Sequence, residues 1–445
     1  MSKAALNSTH DPQLRSWVES ANRPGTDFPI QNLPFAAFRV HADEAARCGV
    51  GIGDFIFDVS ACQSLFTGES LRAAQACAAS TLNALMALGN STVSALRHAL
   101  SALLSAENES QRSVVQHALH AIADVELLLP VKVAGYTDFF ASIHHATNAG
   151  RLFRPDAPLL PNYKYVPVGY NGRASSVRVS GARVQRPWGQ LKSPTADTPV
   201  FAPATRLDHE VELGMYIGTA SQDGSRVPVA QAWDHIFGFS LLNDWSARDI
   251  QSWEYQPLGP FLAKSFATSV SPWVVTSEAL APFRVAVAAR PESDPTPLPH
   301  LLDMDDQRNG GVSIQMEATL STERMRQASV PAQRLSLSNT ETLYWSVAQM
   351  LAHHTSNGSA LEVGDLMGSG TVSGPSHEAL GSLLEITRGG AQPLELAATG
   401  EQRTFLQDGD ELTLRGRCER HGYVSIGFGA CVGTLLPASE EGRAQ

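Results

Sequence analysis

Hydrophobic and polar positions change character along the chain. From Thr26 to Ser60 the runs FPIQNLPFAAFRV and GVGIGDFIFDVS are short, β-rich and broken by Pro, Gly and Asp, which predicts the strands of a small β module. Between Glu69 and about Leu127 the composition turns to Ala and Leu. In SALRHALSALL the apolar residues recur at three- and four-residue intervals, so two or three amphipathic helices are predicted there. After Leu129-Pro130 the chain from Val131 to Leu436 is rich in Gly, Pro, Thr and Val, with short strand-like segments and many turns. This predicts a mainly β, α+β chain: an N-terminal domain over 1–130, a large C-terminal β domain over 131–438 and a frayed tail over 439–445. The stretches DAPLLPNYKYVPVGYNG and PESDPTPLPHLLDMDDQRNGG read as loops.

Length and charge narrow the function classes. With 445 residues and 43% hydrophobic content the chain buries a large core. Against 33 basic residues stand 44 acidic ones, a formal charge of -11, so the basic footprint of a nucleic-acid or anionic-membrane partner is missing. The opening MSKAALNSTHDPQLRSW has no apolar leader region, and no apolar run approaches the roughly 20 residues that span a bilayer. The 5 cysteines form no CxxC pair and predict reduced thiols in a cytoplasmic protein.

Candidate chemistry lies in separated stretches. In RLDHEVELGMY, strand alternation would place Asp208, Glu210 and Glu212 on one face, where they either fan into solvent or gather a hard divalent cation. In LLNDWSARDIQSWEYQPLGPFLAKSF, Asp244 follows an apolar strand-like run and is equally a candidate helix N-cap; Arg248, Asp249, Gln251 and Lys264 follow. GYTDFFASIHHATNAGRLFR carries Asp138, His144, His145 and Arg154, and on a strand or loop only one of the adjacent histidines can face a site. The Gly-rich GDLMGSGTVSGPSHEALGSLLEI leads to Glu385 and lacks the Gly-Lys-Ser/Thr ending of a phosphate loop.

Together and in this order, these stretches resemble the fumarylacetoacetate hydrolase family in its full-length form. The likeness runs from about Phe28 to Leu436 and rests on YTDF, HHATNAG, LFRP, LPNY, PVGYNGRASS, LDHEVELG, NDWSARDIQSWEYQPLGPFLAKSFATSVSPWVV, YWSVAQMLAHHTSNG, GDLMGSGTVSG, FLQDGDELTLRG and GYVSIGFGAC. It implies an SH3-like N-terminal barrel, a C-terminal β-sandwich or roll, a homodimer, and metal-dependent hydrolysis of a small diketo acid in tyrosine and phenylalanine breakdown. By position it implies calcium ligands Asp138, Glu210, Glu212 and Asp244, and a magnesium-type position at Asp244, Thr268 and Lys264. It also implies His145 as catalytic base oriented by Glu385, with Arg248, Gln251 and Lys264 beside it. Substrate contacts fall on Phe140, Arg154, Tyr170, Gln251, Tyr255 and Thr371. Phe140 stands where the family often has a tyrosine, which removes a hydroxyl and leaves more of a substrate carboxylate to Arg154. Sibling oxo-acid chemistries, such as acylpyruvate hydrolysis, hydration, isomerisation or decarboxylation, stay open, as does a metal-stapled binding protein.

Overall fold

Helices form where the three- and four-residue spacing runs. The structure, a computed structural model, describes residues 6–440, and α1 (Gly68–Ala76), α2 (Asn83–Met86), α3 (Asn90–Leu104) and α4 (Glu109–Val115) occupy the expected stretch. Of the predicted tail, residues 441–445 lie outside the described residues, as do residues 1–5 of the opening stretch. The end of the helical region departs from expectation. Leu119–Ala121 and Glu126–Leu128 are strands, and they join Phe35–Arg39, Arg47–Ile52 and Phe55–Asp58 in one five-stranded antiparallel sheet. Pairing with strands far away in the chain overrides the local Ala/Leu bias, as sheet partners commonly do.

The rest of the chain builds an eight-stranded sheet and a second five-stranded sheet, with short helices at their margins. Alternation explains how they stack. In the strand Val211–Ile217, Val211, Leu213, Met215 and Ile217 join one core cluster with Met316, Ala318, Leu412, Leu414 and Phe428 of the second sheet. Tyr216, on the opposite face, joins another cluster with Phe35, Leu96 and Leu100 of the N-terminal region. The larger sheet is therefore covered on both faces, and polar residues at its strand ends are taken out of water. No helix among the described residues is long and apolar enough to cross a membrane.

Register sets the site. Tyr136–Phe139, Leu366–Gly368, Val211–Ile217, Ile236–Asp244 and Thr268–Val270 lie side by side in that order, with Asp138 opposite Gly368, Gly368 opposite Gly214, and Asp244 opposite Thr268. Asp138, Glu212 and Asp244 thus arrive at one end of adjacent strands.

One polar group in the N-terminal core tests the packing. Arg97 shares the buried face of α3 with Val93, Leu96, Leu100 and Leu104. Its Nη1 donates to the Asn32 carbonyl (2.7 Å), its Nη2 to the Gln31 carbonyl (2.5 Å) and its Nε to Thr9 Oγ1 (2.9 Å). Burial lowers its pKa to about 10, against the opposing pull of Glu278, so it stays charged at neutral pH. Arg97→Met strips the donors from these buried carbonyls, and a loss of about 3 kcal/mol is expected from the denaturation midpoint. A loss under about 1 kcal/mol would show that water reaches these carbonyls instead.

Candidate active site

His145 comes from a helix, not a loop. Ser142 caps the segment Ile143–Phe153, its Oγ accepting the His145 N–H (3.3 Å) while donating to the Ser373 carbonyl (2.9 Å). Adjacent histidines face opposite ways on a strand but diverge by about 100° on a helix, and it is His145 that lines the cavity and His144 that is half-buried beside it. His145 Nδ1 lies 2.6 Å from Glu385 Oε2. Glu385 also accepts from Ser373 Oγ (2.8 Å), Ser382 Oγ (2.9 Å) and Asn148 Nδ2 (2.9 Å). Burial alone would raise the Glu385 carboxyl, but His145 and these donors outweigh it and hold its pKa below the usual range.

Asn148, Ser373 and Ser382 were not singled out from the sequence. For Asn148 a signal existed: once the stretch is helical, it sits three residues past His145, on the same side. The serines belong to Gly-rich turns whose path is set elsewhere in the fold.

Four carboxylates, of Asp138, Glu210, Glu212 and Asp244, are buried with one oxygen each within 4.8 Å of one another. Asp244 ends the strand Ile236–Asp244 and is not an N-cap: the following helix, Arg248–Glu254, is preceded by Ala247 and has no side-chain cap. Asp249 accepts the backbone N–H of Thr205 (2.6 Å), outside the cluster. Asp208 departs further from the one-face expectation. The strand breaks between Leu207–Asp208 and Val211–Ile217, and Asp208 meets Arg248 rather than the other acids.

Two cations partly neutralise the cluster. Glu210 takes Arg248 Nη1 on Oε1 (2.7 Å) and Lys264 Nζ on Oε2; Lys264 Nζ is also 2.8 Å from Asp244 Oδ2. Burial opposes charge on Lys264, but Asp244 and Glu210 outweigh it and hold the ammonium above its ordinary pKa. Glu210 is likewise pushed up by burial and pulled down further by Lys264 and Arg248, ending below its usual range. Asp138 and Glu212 stay raised, first by burial and then by neighbouring carboxylates. Asp244 also accepts from Tyr170 Oη (2.7 Å) and Thr268 Oγ1 (3.2 Å).

The donor set fits a hard divalent cation. Neither oxygen of the fully buried Glu212 has a hydrogen-bond donor among the described residues, and buried carboxylates without donors are costly unless a cation meets them. Gly368 keeps that space open. A Cβ there would overlap Asp138 Oδ1 and lie 3.0 Å from Glu212 Oε2. Gly368→Ala is therefore expected to weaken divalent-cation binding by an order of magnitude or more at a small change in melting temperature, read by calorimetric titration. Unchanged affinity would place the ion elsewhere.

A cavity of about 390 Å³ joins these parts: Asp138, Phe140, His145, Arg154, Tyr170, Glu210, Arg248, Gln251, Tyr255, Lys264 and Thr371 all line it. Asp244 and Thr268 line the adjoining hollow, on the far side of Tyr170 and Lys264. Arg154 follows the last residue of its helix, where Gly150 lets the Pro158 carbonyl approach too closely for any Cβ; its Nη2 donates to that carbonyl (3.2 Å) and its Nε is buried without a partner among the described residues. The Thr371 hydroxyl is likewise buried, with no hydrogen-bond partner among the described residues. Gln251 accepts from Arg248 Nη1 (3.1 Å), which turns its oxygen inward and leaves its amide N–H groups to donate. Phe140 stands edge-on to His145, ring centroids 5.3 Å apart.

Comparison with known proteins bears on this arrangement. The family described as Fumarylacetoacetate (FAA) hydrolase C-terminal matches residues 135–435, and that described as Fumarylacetoacetase N-terminal matches residues 31–130. The chain is 44% identical over 436 residues to a fumarylacetoacetase of Dictyostelium discoideum, covering 96% of this chain and 99% of the relative. With that of Caenorhabditis elegans it shares 46% over 419 residues (93% and 97%), and with that of Homo sapiens 44% over 418 residues (93% and 97%). Among solved structures, a fumarylacetoacetate hydrolase from psychrophilic Exiguobacterium antarcticum superposes with a TM-score of 0.51 at 17% identity, covering 91% of this chain and 99% of that one, which bears on the fold alone.

Proposed function

The chain belongs to the fumarylacetoacetate hydrolase family, and from that premise we propose that it is an enzyme hydrolysing a carbon–carbon bond of 4-fumarylacetoacetate to give fumarate and acetoacetate. The observation that carries this reading is that His145, paired with the buried Glu385, lines the same cavity as Asp138 and Glu210 of the four-carboxylate cluster.

Water is a poor nucleophile at neutral pH, and the leaving group is a carbanion. Because Glu385 is an acceptor, Nδ1 of His145 carries the proton and Nε2 keeps its lone pair. Nε2 takes a proton from water as the oxygen adds to the ketone carbon, a role worth about 10²–10⁴-fold. The carbonyl oxygen gains charge as that bond forms. Arg248, Gln251 and Lys264 line the cavity as donors to it, each worth on the order of 3 kcal/mol. When the carbon–carbon bond breaks, its electron pair goes to the leaving acetoacetate carbon as an enolate, and the proton held by His145 balances it. Arg154 offers a guanidinium with an unpaired Nε to the terminal carboxylate, since a planar fork binds both oxygens. Phe140 adds apolar wall and no hydroxyl.

Asp138, Glu210, Glu212 and Asp244 would hold calcium, and Asp244, Thr268 and the Lys264 backbone a second, magnesium-type ion. A bound ion of this kind supplies Lewis-acid polarisation of diketo oxygens and charge for a departing enolate. The same reading includes substrate contacts from Tyr170, Tyr255 and Thr371, a catalytic part over 131–438, a homodimer, and a place in the cytoplasm.

The test is to mix purified protein with fumarylacetoacetate, with and without a chelator, and follow loss of the conjugated absorbance while identifying products. Fumarate and acetoacetate in equal amounts, suppressed by the chelator, are expected. No turnover, or one product without the other, overturns the proposal.

A further inference from the structure

Asp208 has no place in the chemistry above, yet it is fully buried and its carboxylate is saturated with donors. Oδ1 accepts the N–H of Leu383 (2.7 Å) and of His209 (2.8 Å); Oδ2 accepts the N–H of Leu384 (2.9 Å) and Nε of Arg248 (2.9 Å), with Arg248 Nη2 at 2.8 Å. An ionised carboxylate is acceptor-only, with about four lone-pair sites, so these contacts use all of its capacity. It is therefore no cation ligand, although strand alternation groups it with Glu210 and Glu212.

Its partners belong to the two halves of the site. Arg248 also pairs with Glu210 of the carboxylate cluster. Leu383 and Leu384 open the short helix Leu383–Ile386, and the next residue is Glu385, which holds His145. Segments 175 residues apart are tied through one side chain.

We propose that Asp208 is a positioning residue, a single buried carboxylate that fixes the helix bearing Glu385 relative to the Arg248–Glu210 side of the cluster and so sets the aim of His145. The inference rests on the hydrolytic reading for its kinetic readout only. Its energetic logic is that of precise placement: displacing a catalytic group by about 1 Å costs on the order of 100-fold in rate. Asn in place of Asp208 is nearly isosteric but must turn its N–H₂ either toward Arg248 and the Leu384 N–H or toward the Leu383 and His209 N–H groups, so in both orientations one tie to the Leu383–Ile386 helix opens.

The experiment is a double-mutant cycle of Asp208→Asn with His145→Asn. In the His145 enzyme, Asp208→Asn lowers kcat by about 10–100-fold, with KM and calcium affinity changing far less. In the His145→Asn background the same substitution lowers residual turnover by less than about threefold, because there is no longer a base to aim. Equal factors in both backgrounds overturn the proposal, as does a fall in calcium affinity as large as the fall in kcat. A second arm needs no substrate. The short His145–Glu385 hydrogen bond gives a far-downfield proton signal, which shifts or is lost in Asp208→Asn; an unchanged signal also overturns the proposal. If Asp208→Asn does not fold, Asp208→Glu, which keeps the charge and moves the oxygens by one methylene, carries both arms. Should the wild-type enzyme not turn over fumarylacetoacetate, the functional reading falls while the proton signal still decides the role of Asp208.

Discussion

His145→Asn lowers kcat on the order of 10³-fold or more while divalent-cation binding and the melting temperature stay close to wild type. Asn is the informative choice because its amide can still donate to Glu385, so that buried carboxylate keeps a partner and the fold keeps its hydrogen bonds. What is lost is the Nε2 lone pair that the proposed mechanism uses to take the proton from water. Divalent-cation affinity is expected to hold because His145 is not among the clustered oxygens, its contact being with Glu385. Steady-state kinetics beside calorimetric titration read the two separately. More than about a tenth of wild-type kcat would mean that water is activated by another group.

Glu212→Gln moves two properties in opposite directions. With all five ionised, the carboxylates of Asp138, Asp208, Glu210, Glu212 and Asp244 would exceed the two cations Arg248 and Lys264 by three charges, an excess that pushes the Asp138 and Glu212 carboxyls toward their protonated forms when no cation is bound. A bound dication removes most of that excess. Taking one charge away should weaken calcium binding by about 100-fold, about 2.7 kcal/mol, since affinity follows the charge of the ligand set. The cation-free variant should nevertheless melt higher than cation-free wild type, because neither oxygen of the buried Glu212 has a donor among the described residues. Saturating calcium reverses the order, adding about 2.7 kcal/mol to wild type at 100 times its Kd and little to the variant. Thermal melts with calcium and with chelator decide it. Wild-type affinity in the variant would remove Glu212 from the ion site, and a lower melting point of the cation-free variant would show that charge crowding is not what the ion relieves.

Of the residues that the family likeness named, Asp138, Phe140, His145, Arg154, Tyr170, Glu210, Arg248, Gln251, Tyr255, Lys264 and Thr371 line one cavity, and Asp244 and Thr268 line the hollow beside it. Read from residues alone, the same stretches misled in places. Alternation in RLDHEVELGMY put Asp208 with Glu210 and Glu212, but the strand breaks at His209 and Glu210, and Asp208 turns to Arg248 and the Leu383–Ile386 helix. Asp244 looked equally like a cap. What settles it is pairing of Asp244 with Thr268 on a neighbouring strand, a contact that no local pattern contains.

The sequence by itself determined that a short-stranded stretch is followed by an Ala- and Leu-rich helical one and then by a long Gly- and Pro-rich β region, that the chain is acidic and rich in apolar residues, and which acidic and basic residues were available for chemistry. These follow from period, composition and order, which are local. Tertiary structure alone decided that Leu119–Ala121 and Glu126–Leu128 are strands, that His145 meets Glu385 240 residues away, and which four carboxylates crowd together around the space left by Gly368. Those outcomes depend on strand order and register between distant segments, and a one-residue slip in register would turn every one of these side chains to the other face of its sheet.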